Sequence, residues 1–118
     1  SGKQVRELID YSLTLPYGVG QISGLKIEFD STKPEMQRLV SIKHENTELV
    51  DTQKYTVSTS AYVAKGGDGY TVFTKGRVID ADQDMLEALY QNFKNVFDID
   101  LPSIDRQIDL STITSATR

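Results

Sequence analysis

The chain has 118 residues, a formal net charge of −4 and no cysteine. The length fits one compact domain with its own core, and the absence of cysteine excludes disulfides, thiolate nucleophiles and cysteine-based metal sites. Lysine and arginine are scattered and outnumbered, 13 against 17 acidic residues, so no basic stripe marks a nucleic-acid polymer as partner; no apolar run nears the roughly 20 residues that span a bilayer, so no direct membrane contact is expected.

In chain order, residues 2–15 read as a helix, because Val5, Leu8, Ile9 and Leu13 recur at three- and four-residue spacings. Pro16, Gly18 and Gly20 end it. Leu25, Ile27 and Phe29 then alternate with Lys26, Glu28 and Asp30, the period of a half-buried strand. A polar turn with Pro34 leads to a second strand over residues 39–43, and the pair predicts an antiparallel hairpin. Residues 45–52 read as a polar connection. Tyr55, Val57 and Thr59 alternate again as a third strand that runs into residues 61–70. Residues 71–73 read as a short β-like piece.

Residues 82–97 carry the strongest helical pattern: Leu86, Leu89, Tyr90, Phe93, Val96 and Phe97 form one apolar stripe, expected to be core. Asp80, Asp82 and Asp84 stand at its start, where carboxylates cap free N–H groups. The same aspartates mimic the opening of a calcium loop, but Met85 takes the required glycine and Gln91 the bidentate glutamate, so a helix start is the better reading. Pro102 marks a break, residues 107–110 add an edge strand, and residues 111–118 form a flexible tail. The sum is a single α+β domain over residues 1–110, with an antiparallel or mixed sheet flanked by two main helices.

The densest chemistry lies in residues 61–70, Ala-Tyr-Val-Ala-Lys-Gly-Gly-Asp-Gly-Tyr. Gly66, Gly67 and Gly69 allow positive φ and close approach of another group to the backbone. Asp68 stands uncrowded between them, free to accept sugar hydroxyls or to cap a turn. Tyr62 and Tyr70 flank the loop, and a tyrosine face stacks on a base with few torsions to order. On residues alone a tight loop with one aromatic packed beneath it is the favoured reading, because glycine-rich loops are common. His44 is the only histidine, sits in a polar stretch and reads as a surface residue. Lys33, Arg38 and Lys43 read as a solvated face. No Ser/His/Asp triad assembles, and one histidine builds no dinuclear metal site; no catalytic and no metal-ligating residue is assigned.

Residues 55–57 (Tyr-Thr-Val) and 62–70 resemble the best-marked motif of the C-terminal, substrate-binding domain of the 5′-nucleotidase and 2′,3′-cyclic-nucleotide phosphodiesterase family, in which a Tyr-x-Val strand runs into Phe/Tyr-x-Ala-x-Gly-Gly-Asp-Gly-Tyr/Phe. Residues 20–26 (Gly-Gln-Ile-Ser-Gly-Leu-Lys) are similar to that family's Gln-Val-Ser-Gly-Leu strand, residues 2–8 to the helix before it, and Arg106-Gln107-Ile108 to its closing Gly-Arg-Ile. The resemblance implies that Tyr62 stacks on a nucleobase and that Asp68 binds ribose hydroxyls; Tyr70 matches a usually aromatic position assigned to supporting the loop, and Tyr62, Gly66, Gly67, Asp68, Gly69 and Tyr70 together are the expected substrate-binding residues. It departs from the family at Ala61, where Asn or Asp is common.

By the same resemblance this is a fragment: the second stacking aromatic and a metallophosphoesterase domain with two divalent metal ions belong upstream of Ser1. The parent is then a nucleotide phosphohydrolase, extracellular, on the cell surface or periplasmic, whose partners are a nucleoside or nucleotide and its own N-terminal domain. The domain alone needs no cofactor and is non-catalytic. The rival expectation is a binding or scaffold domain that has lost nucleotide recognition.

Overall fold

The computed structural model describes residues 1–17, 20–79, 84–95 and 106–115. Helix α1 covers Gly2–Ser12. It buries Val5, Leu8 and Ile9 as the sequence spacing predicts, and Leu13 just beyond its end. Its N-terminus is seated rather than free: the amides of Gly2 and Lys3 donate to the carbonyls of Gln53 (2.9 Å) and Asp51 (3.1 Å), which satisfies donors a helix start leaves orphaned. Gly2 is required there, because a Cβ would lie 2.2 Å from the Val50 oxygen.

Strands β1 (Lys26–Phe29) and β2 (Leu39–His44) form the expected antiparallel hairpin. Its register sets Ile27 opposite Ile42. Both are completely buried, and with Val5, Ile9 and Leu49 they make the core. Burying each isoleucine contributes about 1.5–3 kcal/mol. Strand β3 (Thr47–Glu48) pairs antiparallel with β2. Strand β4 (Gln107–Asp109) lies parallel to β1 on the far edge, giving the order β3-β2-β1-β4. The α+β class, the mixed sheet and the edge position of β4 agree with the sequence reading.

Residues 45–52 are not a plain connection: Glu45 and Asn46 take φ values of 49° and 64°, the two left-handed residues of a tight hairpin turn, and return the chain as β3. The third strand predicted at Tyr55, Val57 and Thr59 does not form. Both edges beside the central pair are taken by β3 and β4. Tyr55 instead packs against the core, accepts the Val50 amide at 3.1 Å through its hydroxyl, and meets the His44 ring edge-on at 6.4 Å. His44 is exposed, as expected.

Residues 71–73 are not β-like but belong to a 3₁₀ helix, Thr71–Lys75, that buries Val72. Arg38 is not part of a solvated face. Its Nε donates to the Lys33 carbonyl at 3.1 Å and its Nη1 to the Leu13 carbonyl, while Asp10 Oδ1 receives the amides of Arg38 (3.0 Å) and Leu39 (3.1 Å). These bonds fasten the end of α1 to the start of β2.

The second main helix is a further difference. It forms, as α3 over Met85–Asn95, but its stripe is not core: Leu86, Leu89, Tyr90 and Phe93 are all exposed. Periodicity reports that a helix has an apolar face, not that the face is covered. Asp80, Asp82, Val96 and Phe97 lie outside the described residues. Residues 110–115, placed largely in a tail by the sequence reading, open as helix α4 (Leu110–Ser115).

Candidate functional site

The loop after β3 is built around short helical pieces rather than an open coil. Ser60 caps helix α2 (Ala61–Ala64), its Oγ accepting the Val63 amide at 3.3 Å. The helix stops after one turn. Gly66 then reverses the chain at φ +90°, and a 3₁₀ turn follows over Gly67–Gly69. Asp68 itself is left-handed, at φ 52° and ψ 24°, a region few non-glycine residues occupy and aspartate tolerates better than most.

This path brings Tyr62, Gly67 and Asp68 together. The Tyr62 ring lies over the Gly67 backbone so closely that a Cβ there would meet its ring carbons at 2.5–2.6 Å. Its hydroxyl donates to Asp68 Oδ1 at 3.1 Å and accepts the Asp68 amide at 3.3 Å. One hydroxyl thus sits between an N–H donor and a carboxylate acceptor of the same residue. Both side chains face solvent, Tyr62 with 62% of its surface exposed. The arrangement offers a flat aromatic face beside a carboxylate already in reach of a hydroxyl.

Tyr70 turns the other way. Its ring meets Tyr11 edge-on at 5.2 Å and Phe73 at 6.3 Å, under the loop rather than on it. Burial, then the neighbouring Tyr11, Asp68 and Tyr17, push its phenol above the usual value, so it stays protonated. Gly69, at φ +83°, leaves room for Tyr11: a Cβ would fall 1.9 Å from the Tyr11 hydroxyl. That hydroxyl donates to the Asp68 carbonyl at 2.9 Å. Lys75 Nζ lies 3.8 Å from Glu7 Oε1, a second, exposed tie between this segment and α1.

Tyr11 was not singled out by sequence. The available signal was its position three residues after Leu8, which puts an aromatic beside the buried stripe of α1. A cleft of about 120 Å³ lies behind the loop, lined by Leu8, Tyr11, Met36, Gly69, Tyr70 and Val72 among others. A larger hollow of about 380 Å³, lined by Lys3, Arg6, Asp10 and Leu39 among others, is shallow and holds none of residues 61–70. The chemistry-bearing groups are on the loop, and the larger hollow carries no comparable constellation. Among the described residues no three His, Cys, Asp or Glu side chains converge to hold a metal ion.

Residues 1–75 match the family model described as 5'-nucleotidase, C-terminal domain. The chain belongs to that family. Relatives of this domain include an apyrase of Tabanus yao, 34% identical over 87 residues, covering 61% of this chain and 16% of that protein. A 5'-nucleotidase of Diplobatis ommata is 29% identical over 90 residues, covering 65% of this chain and 15% of its own length. The chain therefore spans about a sixth of the curated relatives it matches. The fold is that of a chain described as a 5'-nucleotidase precursor from Thermus thermophilus, with a TM-score of 0.72 over 93% of this chain and 24% of that one, at 20% sequence identity.

Proposed function

We propose that this domain recognises the nucleoside portion of a nucleotide and presents its phosphate to a metal-bearing hydrolase domain of the same parent protein. The observation that carries the reading is the Tyr62–Asp68 pair: an exposed aromatic face beside a backbone N–H and a carboxylate that together hold one hydroxyl. In the bound state Tyr62 stacks on the base and Asp68 accepts the ribose hydroxyls, the stacking supplying about 1–3 kcal/mol and the charged acceptor strengthening each bond. Gly66, Gly67 and Gly69 let the backbone take this shape, and Tyr70 supports it from below.

The family relation supports a nucleotidase-type parent, and the names of the relatives, apyrase and 5'-nucleotidase, agree with a phosphohydrolase. Two divalent metals, which would activate water and polarise the phosphoryl group, are assigned in this reading to the other domain, as the family resemblance implies. This domain's part is binding and orientation: fixing the nucleoside positions the phosphate for attack. It performs no bond-breaking step itself. A location outside the cytoplasm goes with this reading.

Adenosine titrated into the chain and followed by amide NMR tests it. The expected result is shifts at Tyr62 and residues 66–70, with a dissociation constant in the millimolar range (about −4 kcal/mol), because one face of the base is left open. Shifts that spare those amides favour the rival reading, a scaffold that no longer recognises nucleotides. For the parent, Asp-x-His and Gly-Asn-His-Glu patterns in sequence preceding Ser1 are expected, and a preceding domain without them sinks the hydrolase assignment.

A further inference from the structure

We propose that Tyr11, on α1 and outside the glycine loop, is the positioning residue that aims Asp68. The inference rests on the nucleoside reading of the loop, but its structural half is testable without ligand.

Asp68 has two grips on it, one from each side. The Tyr62 hydroxyl holds its amide and carboxylate; the Tyr11 hydroxyl holds its carbonyl at 2.9 Å. The carbonyl grip fixes the plane of the peptide between Asp68 and Gly69, and hence the ψ of 24° that Asp68 adopts in the left-handed region. A left-handed aspartate relaxes to ordinary backbone unless its surroundings hold it. Of the two grips only Tyr11 comes from a rigid body: α1 is seated by Val5, Leu8 and Ile9 in the core and by Gly2 against Val50. Tyr62 belongs to the loop itself and moves with it.

Two further features are arranged around Tyr11. Gly69 has no Cβ where the Tyr11 hydroxyl arrives, and any other residue there would collide with it as well as being strained at φ +83°. Tyr70 stacks edge-on against the Tyr11 ring at 5.2 Å, so both residues after Asp68 are shaped to this one side chain. A ligand that takes the Tyr62 hydroxyl's place on Asp68 removes the loop's internal grip. Tyr11 then alone carries the alignment. It touches no ligand atom in this account; it acts through Asp68.

The test is Tyr11→Phe in the full chain, which keeps the ring and its packing on Tyr70. Without ligand, the backbone coupling constant and amide exchange of Asp68 and Gly69 should change, while amides of the sheet and the thermal midpoint stay near those of the parent. Adenosine should bind about three- to tenfold more weakly, the worth of one hydrogen bond. An unchanged Asp68 coupling together with unchanged affinity overturns the proposal and leaves Tyr11 as packing alone. A parent chain that shows no adenosine response refutes the nucleoside reading instead, and the ligand-free Asp68 coupling still decides whether Tyr11 positions it.

Discussion

Helices α1 and α3 are each eleven residues long and each carries an apolar stripe, yet they end in opposite situations. The stripe of α1 is buried against the paired isoleucines of β1 and β2, and the helix is pinned at both ends by backbone and side-chain bonds. The stripe of α3 faces solvent. The difference shows what an amphipathic pattern is worth by itself. An isolated helix shorter than about 12–15 residues is marginal in water, so α1 owes its rigidity to cover, and that rigidity is what lets Tyr11 hold the glycine loop. A residue can position a site only from an element that is itself held.

The largest effect belongs to the core under α1. Ile27→Ala should cost about 2–5 kcal/mol, read as a lower midpoint in urea, because Ile27 is fully buried opposite Ile42. A loss below about 1 kcal/mol would mean the hairpin core is not what seats α1. Next comes Gly69→Ala, expected to cost about 1–3 kcal/mol. The added methyl must displace the Tyr11 hydroxyl and strain a backbone at φ +83°. Its mark should be local, with shifts at Tyr11, Asp68 and Tyr70 and weaker adenosine binding.

The same contrast explains how much could be read in advance. Helix α1, the β1–β2 hairpin and edge strand β4 follow from short-range periodicity, and each found cover beside it. The alternation at Tyr55, Val57 and Thr59 has the same form, but the places beside β1 and β2 go to β4 and β3, and which segments pair is a property of the assembled sheet. In the loop, the glycines announce unusual backbone, and two of the three do take positive φ. The Tyr62–Asp68 bond spans six residues and is within reach of local reasoning. The Tyr11–Asp68 bond spans 57 residues and is visible only once α1 is docked.

A smaller effect separates the two regions by pH. The carboxyl of Glu48 is held below its usual value chiefly by the Ser41 hydroxyl, against some burial, with help from Arg6. Asp30 is lowered chiefly by the Thr32 hydroxyl and amide. At Asp109 burial pushes up, but hydrogen bonds from Ser31 and Ser111 outweigh it and the net shift is down. A carboxyl lowered in the folded state binds fewer protons there than when unfolded, so stability rises with pH in that window. The contribution is complete above the unfolded values, 4.5 for Glu48 and 3.8 for the aspartates. It is lost as pH falls through the lowered ones. Acid titration of the midpoint should therefore show a loss of stability starting near pH 4.5, and Glu48→Gln should flatten its upper part. Because these groups are largely solvated, the change should be modest.

The smallest expected effect is on α3. Leu89→Ala should change stability by no more than about 0.5 kcal/mol, since the side chain is half exposed and alanine is the better helix former. Amide exchange gives the stronger version of the comparison. Amides of Leu89 and Tyr90 should exchange far faster than those of Leu8 and Ile9, whose helix opens only when the core does. Equal protection in the two helices would mean that something covers the α3 stripe in solution, and Leu89→Ala would then cost what a buried leucine costs. Fast exchange in α3 beside slow exchange in α1 would locate the rigid platform of the glycine loop in α1 and the hairpin beneath it.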